Sequence, residues 1–158
     1  MLLDNRLLFP TGMIYEDIFF SSLVKHYCQK VCFTTRILYH HLLNSTSISR
    51  NISKTDRICY IQIHMLLIEE LRNRGLYETF AKWYEEQFVI SYITFVLNYE
   101  KLFGIMEASL FQMIKDTVWE LFPSFSTIPA VDKLLHNPAT SPAIKRVLLL
   151  QLGEREFS

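Results

Sequence analysis

Hydrophobic residues recur every three or four positions along most of the chain, and this spacing predicts amphipathic helices. The pattern is clearest after residue 53, where one helical face carries Ile58, Ile61, Met65, Ile68 and Leu71. Ser53 or Thr55 can cap this helix, and Gly75 is suited to its end. Further helices are predicted over 16–30, 77–101, 105–122 and 143–152, with short pieces between the prolines of the tail.

The stretch Val31–Leu38 has a different period. Branched or aromatic residues (Val31, Phe33, Thr35 and Ile37) alternate there with the residues between them. Alternation with a period of two is typical of a strand. A polar loop is predicted over 44–53. The predicted fold is therefore mainly α: a short α/β piece with one or two strands in residues 1–52, followed by a C-terminal helical bundle in residues 53–158.

Composition limits the classes of function. Sixteen basic and sixteen acidic residues cancel among 158, so no overall field recruits nucleic acid. Half of the residues are hydrophobic, with twelve Phe and eight Tyr, which suggests that one face packs on something outside this chain. The longest uncharged apolar run, 88–99, is shorter than the ~20 residues that span a bilayer.

Three cysteines do not form a disulfide framework, and they favour a reducing, cytoplasmic setting. Cys28 and Cys32 lack a second pair of ligands at zinc-site spacing, so no metal is predicted in this chain. His26 and His64 fall within predicted helices, where structural roles are commoner than metal ligation. Trp83, Tyr84 and Trp119 follow helical spacing and are predicted core residues rather than a platform for stacking sugars.

Adjacent carboxylates at Glu16 and Asp17 open the first predicted helix, just after a loop marked by Pro10 and Gly12. Two interpretations fit these carboxylates. Acidic side chains stabilise a helix N-terminus through the helix dipole. Alternatively, one carboxylate faces a cleft and acts as a general base.

The segment from Asn5 to Asp17 (Asn-Arg-Leu-Leu-Phe-Pro-Thr-Gly-Met-Ile-Tyr-Glu-Asp) resembles the acceptor-side segment of family-two glycosyltransferases of the GT-A fold. In that family, a similar stretch precedes a helix, a strand and a Tyr-rich loop that contains Ser. The same succession follows here, with the predicted strand Val31–Leu38 leading to Tyr39-His40-His41 and then to Ser47-Ile48-Ser49. The resemblance covers about residues 3–50.

The resemblance implies an inverting, single-displacement transfer of a sugar from a nucleotide-sugar to a glycan or lipid-linked acceptor. Asp17 would be the general base that takes the proton of the acceptor hydroxyl, and Glu16 would orient the loop or bind the acceptor. The residues implied in substrate contacts are Tyr15, His40, His41, Asn44 and Ser47. His41 stands where a Tyr is common in the family.

In the resembling family, an N-terminal βαβ half binds the nucleotide-sugar, and an Asp-x-Asp motif there holds a divalent metal, Mn or Mg. Such a motif is missing from this sequence. We therefore expect a C-terminal piece of a longer enzyme that is inactive alone, with the metal bound by the other half.

Two other interpretations remain open at the level of sequence. The helical part, 53–158, can be a non-catalytic interaction module that forms a homodimer or docks on a membrane surface. The chain can also be a degenerate remnant without activity. If the enzyme acts on lipid-linked acceptors, a peripheral position at the inner face of the membrane is expected.

Overall fold

The computed structural model describes residues 1–40 and 51–153. Within these ranges the chain forms six α-helices. They are α1 (Glu16–Tyr27), α2 (Lys54–Asn73), α3 (Ala81–Phe103), α4 (Ala108–Leu121), α5 (Pro129–His136) and α6 (Pro142–Leu152). Two short 3₁₀ turns, Glu78–Phe80 and Phe125–Thr127, precede α3 and α5. The mainly helical class predicted from the periodicity is confirmed.

Local chemistry sets the start and end of α2. The Ser53 hydroxyl accepts a hydrogen bond from the Asp56 amide at 3.1 Å, and the Asp56 carboxylate accepts one from the Ser53 amide at 2.8 Å. This reciprocal arrangement is a capping box, which satisfies amides that the first turn leaves unpaired. The helix ends at Asn73, and Gly75 follows with φ of 67°. The sequence-predicted cap and end are therefore both confirmed.

Helix α3 lies at the centre of the fold and packs against α2, α5 and α6. It contributes four of the largest fully buried side chains, which are Phe88, Tyr92, Phe95 and Tyr99. Its second half is buried on most sides, as its uniform hydrophobicity predicts. Helix α1 packs on α2, so that the first helix joins the same core through Phe19 and Leu23.

A buried polar network ties α3, α4 and α6 together at Gln151. The Tyr92 hydroxyl donates to Gln151 Oε1 at 2.7 Å, and Gln151 Nε2 donates to the Lys115 carbonyl at 3.3 Å. The Trp119 indole N–H donates to the Gln151 carbonyl at 3.2 Å. Because every polar atom of this fully buried amide has a partner, its burial does not carry the cost of an unmade hydrogen bond.

The strand predicted over Val31–Leu38 is absent, which corrects the prediction of a short α/β piece. Helix α1 ends at Tyr27, and residues 28–40 have no regular secondary structure and are exposed from Cys28 onward. A strand persists only when a neighbour pairs its backbone groups, and no strand occurs in residues 1–40 or 51–153 to provide that pairing. The GT-A remnant is therefore not seen in the described residues.

None of the helices in residues 1–40 and 51–153 combines the length and the hydrophobicity that a transmembrane span requires.

Candidate functional site

The turn that precedes α1 fixes the position of the acidic pair. Tyr15 adopts a left-handed conformation (φ 66°, ψ 21°) at the N-cap, and the Ile18 amide donates to its carbonyl at 3.0 Å. Gly12 also has a positive φ, 75°, in the loop before it. This backbone path places Glu16 and Asp17 in the first turn of α1, as the sequence predicts.

Both carboxylates are available for chemistry at this helix end. Asp17 is exposed and Glu16 is half-buried. Within residues 1–40 and 51–153, neither makes a hydrogen bond or an ion pair. Acidic side chains in a first helical turn interact favourably with the partial positive charge of the helix N-terminus. An ionised carboxylate without a competing partner is suited to accept a proton from a hydroxyl group.

The remaining residues implied by the resemblance lie in different environments. Tyr15 is half-buried, and its ring packs edge-on against Tyr60 with centroids 5.3 Å apart. His40 is exposed at the end of the irregular segment after α1. His41, Asn44 and Ser47 lie outside the described residues. The structure thus groups Tyr15, Glu16 and Asp17, which are also neighbours in sequence.

Arg74, at the C-terminal end of α2, holds the N-terminal segment against the bundle. Its Nη1 donates to the Asn5 carbonyl at 2.7 Å and to the Tyr27 hydroxyl at 3.2 Å, while its Nη2 donates to the Arg6 carbonyl at 3.3 Å. Its Nε also donates to Glu70 at 2.7 Å. These contacts connect α1 and α2 with the segment that leads to Asp17. Sequence periodicity carries no signal for them, because they join residues far apart in the chain.

A cleft of about 220 Å³, here called the Trp83 cleft, opens between α1, α2 and α3. Each of these helices contributes to its wall. The lining residues are Ser22 and Lys25 from α1, His64, Leu67 and Ile68 from α2, and Trp83, Tyr84, Gln87, Phe88 and Ser91 from α3. The lining combines aromatic rings with hydroxyl, amide, imidazole and ammonium groups.

Trp83 is the main aromatic surface of this cleft. Its side chain is 47% exposed, which corrects its prediction as a core residue. Tyr84, by contrast, is buried beside it, with the two ring centroids 4.8 Å apart. The adjacent residues of a helix point in directions 100° apart, so helical spacing alone does not tell which of two neighbouring aromatics faces solvent. Trp119 is half-buried against Phe125, in agreement with a core role.

The two histidines near the cleft differ in their partners. His26 is hydrogen-bonded to the Tyr84 hydroxyl, and its pKa is lowered by burial and by the nearby Lys25. His64 Nε2 is buried and has no hydrogen-bond partner among the residues that the structure describes. Burial lowers the pKa of His64 to about 4, so the ring is neutral at pH 7. An unpaired buried polar atom costs about 1–3 kcal/mol, which makes His64 the unexplained group of this region.

A second cleft, of about 200 Å³, lies beside Arg72 and Glu85 near the turn that follows α4. The Arg72 guanidinium stacks over the rings of Tyr77 (4.6 Å) and Phe122 (5.4 Å). Its charge is therefore engaged with aromatic faces rather than directed into open space.

Metal-binding groups were sought among the same residues. In the part of the chain that the structure describes, no three His, Cys, Asp or Glu side chains come together in a way that could hold a metal ion. Cys28, Cys32 and Cys59 are free thiols, the first two exposed. The divalent metal that the resemblance implies thus finds no fitting set of ligands here.

Comparisons of the chain with protein-family models, with curated proteins and with solved structures return no significant match.

Proposed function

We propose that this chain is the acceptor side of a nucleotide-sugar-dependent glycosyltransferase, with Asp17 as the general base. The observation that carries the proposal is the state of Asp17. Its carboxylate is exposed in the first turn of α1 and makes no hydrogen bond or ion pair with the described residues. It also closes the Asn5–Asp17 segment that resembles the acceptor side of family-two enzymes.

The proposed reaction is a single displacement. The oxygen of an acceptor hydroxyl attacks the anomeric carbon of the donor sugar as Asp17 takes its proton, because a neutral hydroxyl is a weak nucleophile. The bond from the anomeric carbon to the diphosphate breaks, and the nucleoside diphosphate leaves with the electron pair. Attack opposite the leaving group inverts the configuration at that carbon.

The other residues of the site have supporting roles in this proposal. Glu16, half-buried beside the base, orients the turn or binds the acceptor. Tyr15 borders the acceptor, and His40, His41, Asn44 and Ser47 contact the diphosphate or the sugars. The described residues lack a fitting metal site, so we assign the donor and its divalent metal to a nucleotide-binding half outside this chain and derive no step through the metal.

The segment after α1 supports the presence of such a half. Five large hydrophobic side chains there are exposed, and Phe33 is 95% exposed: Val31, Phe33, Ile37, Leu38 and Tyr39. A run of exposed apolar residues of this kind marks an interaction surface. A non-catalytic docking module would use the same surface, and the activity of an Asp17 variant distinguishes the two.

The acceptor in this proposal is a glycan or a lipid-linked sugar. We place the enzyme in the cytoplasm, where nucleotide-sugars would reach it, and at the inner face of the membrane when the acceptor is lipid-linked.

The test of the base is the Asp17→Asn substitution in the complete enzyme. Asparagine keeps the size of the side chain but does not accept the proton, so kcat should fall by roughly 10²–10⁴-fold, with acceptor KM little changed. The matched control is Asp116→Asn, which alters an exposed carboxylate on α4. The control should retain wild-type turnover. Turnover near that of the wild type in Asp17→Asn would exclude Asp17 as the base.

A second expectation concerns the chain by itself. The purified 158-residue chain should neither bind nor hydrolyse nucleotide-sugars, because the donor contacts are assigned elsewhere. Titration calorimetry with uridine and guanosine diphosphates, with and without Mn²⁺, measures this directly. Saturable binding of either nucleotide would contradict the assignment of the donor site to another part of the enzyme.

A further inference from the structure

We propose that the Trp83 cleft is a subsite that binds one pyranose ring of the acceptor. The assignment of the ligand as part of the acceptor rests on the proposed function. Binding of a sugar to the cleft can be measured without any transfer reaction. The cleft is formed by α1, α2 and α3, and α1 also carries Asp17 at its first turn.

The aromatic wall favours a sugar ring. A pyranose presents an apolar face of C–H groups, and such a face packs against an accessible indole. Trp83 supplies this surface, since it lines the cleft and nearly half of its side chain remains open to solvent. Tyr84 is buried and packs edge-on against the Trp83 ring, and Phe88 is a second buried ring of the lining.

The polar groups of the lining suit hydroxyls in particular. Ser22 and Ser91 carry hydroxyls, and Gln87 carries an amide that both donates and accepts. His64 lies on the same wall, and the lining thus offers hydroxyl and amide groups that both donate and accept. Inorganic phosphate offers mainly acceptors and would satisfy fewer of these groups.

Size and charge narrow the class of ligand further. At about 220 Å³ the cleft is smaller than the ~300–1,000 Å³ of sites that hold drug-sized molecules, so its occupant is one ring rather than a nucleotide. Among the lining residues that the structure describes, Lys25 is the one Lys, Arg, Asp or Glu, and His64 is neutral at pH 7. A neutral or singly acidic sugar matches this lining, and a diphosphate does not.

Ring contacts lead from Tyr15, which precedes the acidic pair, to the wall of the cleft. The Tyr15 ring packs on Tyr60, and the Tyr60 ring packs on His64 with centroids 4.9 Å apart. This aromatic series leads from the residue next to the acidic pair to the wall of the cleft. Along α1, Ser22 and Lys25 follow Asp17 by about 8 and 12 Å of helix rise. Because Asp17 does not line the cleft, the proposal assigns the cleft to a ring of the acceptor other than the one that reacts.

The two tryptophans provide the experiment. Nitrogen-15 NMR of the 158-residue chain separates the indole N–H signals of Trp83, at the cleft, and Trp119, which is hydrogen-bonded to the Gln151 carbonyl inside the bundle. The probes are methyl glycosides of glucose, galactose and mannose, N-acetylglucosamine, glycerol and inorganic phosphate. We expect at least one pyranose to shift the Trp83 signal saturably, with a Kd in the millimolar range, and to leave Trp119 unchanged.

Variants test the lining. Gln87→Ala should raise the Kd for that pyranose about three- to tenfold, because one neutral hydrogen bond is lost. Trp83→Ala should raise the Kd about tenfold or more. Binding to this variant is followed through the NMR signal of the Gln87 side-chain amide. Both residues are exposed, so the fold should tolerate these changes. Ile90→Ala is the matched control: Ile90 is exposed on α3 and does not line the cleft, so binding should equal that of the wild type.

Three results would overturn the subsite: no saturable Trp83 shift with any pyranose, equal shifts at Trp83 and Trp119, or tighter binding of glycerol or phosphate than of every sugar. Failure of the proposed function has a different signature. If sugars bind as expected while Asp17→Asn keeps full turnover in the complete enzyme, the subsite is supported and Asp17 is excluded as the base.

Discussion

At the scale of single residues, backbone conformation and burial decide what each side chain can do. Tyr15 takes a left-handed conformation that is uncommon outside glycine, and this turn presents Asp17 to solvent at the start of α1. The acidic pair itself could be predicted from the sequence, because carboxylates favour helix N-termini. The sequence does not predict that Trp83 is exposed or that His64 Nε2 lacks a partner among the described residues. Each of these features depends on how three helices pack together.

His64 should make the stability of the fold depend on pH. Burial lowers its pKa from 6.5 to about 4, so the unfolded chain binds a proton between those values and the folded chain does not. The contribution of His64 to the free energy of unfolding should therefore be greatest above pH 6.5 and fall as pH decreases towards 4. The slope from this residue is at most about 1.4 kcal/mol per pH unit.

Urea unfolding of wild type and His64→Phe at pH 7, 6 and 5 measures this contribution. The phenyl ring keeps an aromatic contact with Tyr60 but does not titrate. The loss of stability between pH 7 and 5 should be smaller in the variant than in the wild type. Parallel curves for His64→Phe and wild type would show that His64 is not the titrating group.

At the scale of elements, local signals predict helices well and strands poorly. The Ser53 cap and the end of α2 before Gly75 follow from interactions within a few residues, so the sequence contains them. The alternation over Val31–Leu38 describes only which side chains would share a face of a strand. A strand also needs a paired neighbour, and none is present in residues 1–40 or 51–153. The prediction failed because pairing is a tertiary property.

Arg74 should control the order of the N-terminal segment. Its guanidinium donates to the Asn5 and Arg6 carbonyls, and Leu7, which follows them, is buried. In Arg74→Ala, hydrogen exchange at the Leu7 amide should accelerate about 10–100-fold, since hydrogen bonds from a charged donor are worth about 1.5–3 kcal/mol. Exchange measured by NMR at pH 7 follows this amide directly.

The matched control for Arg74 is Glu70→Gln. This change removes the charge of the ion-pair partner and leaves the contacts of Arg74 with the N-terminal segment in place. Exchange at the Leu7 amide should stay within a few-fold of the wild type. An Arg74→Ala protein with unchanged exchange at Leu7 would show that burial of Leu7 alone holds the segment.

At the scale of the whole molecule, the fold is a helical bundle around α3, and the proposed site lies at its N-terminal edge. The bundle could be predicted because helical periodicity is local and each apolar face requires a partner. The cleft could not be predicted from the sequence, because its lining comes from three helices separated in sequence. The exposed segment 28–40 is the part of the molecule whose sequence and described structure agree least, and it is where the proposal places the donor half.

The most direct test of the account is the ratio of kcat between the Asp17→Asn variant and the wild type in the complete enzyme, at saturating donor and acceptor. The account predicts a fall of roughly 10²–10⁴-fold, with Asp116→Asn unaffected. A ratio near one would contradict the central claim, because the proton of the acceptor hydroxyl would then have another destination.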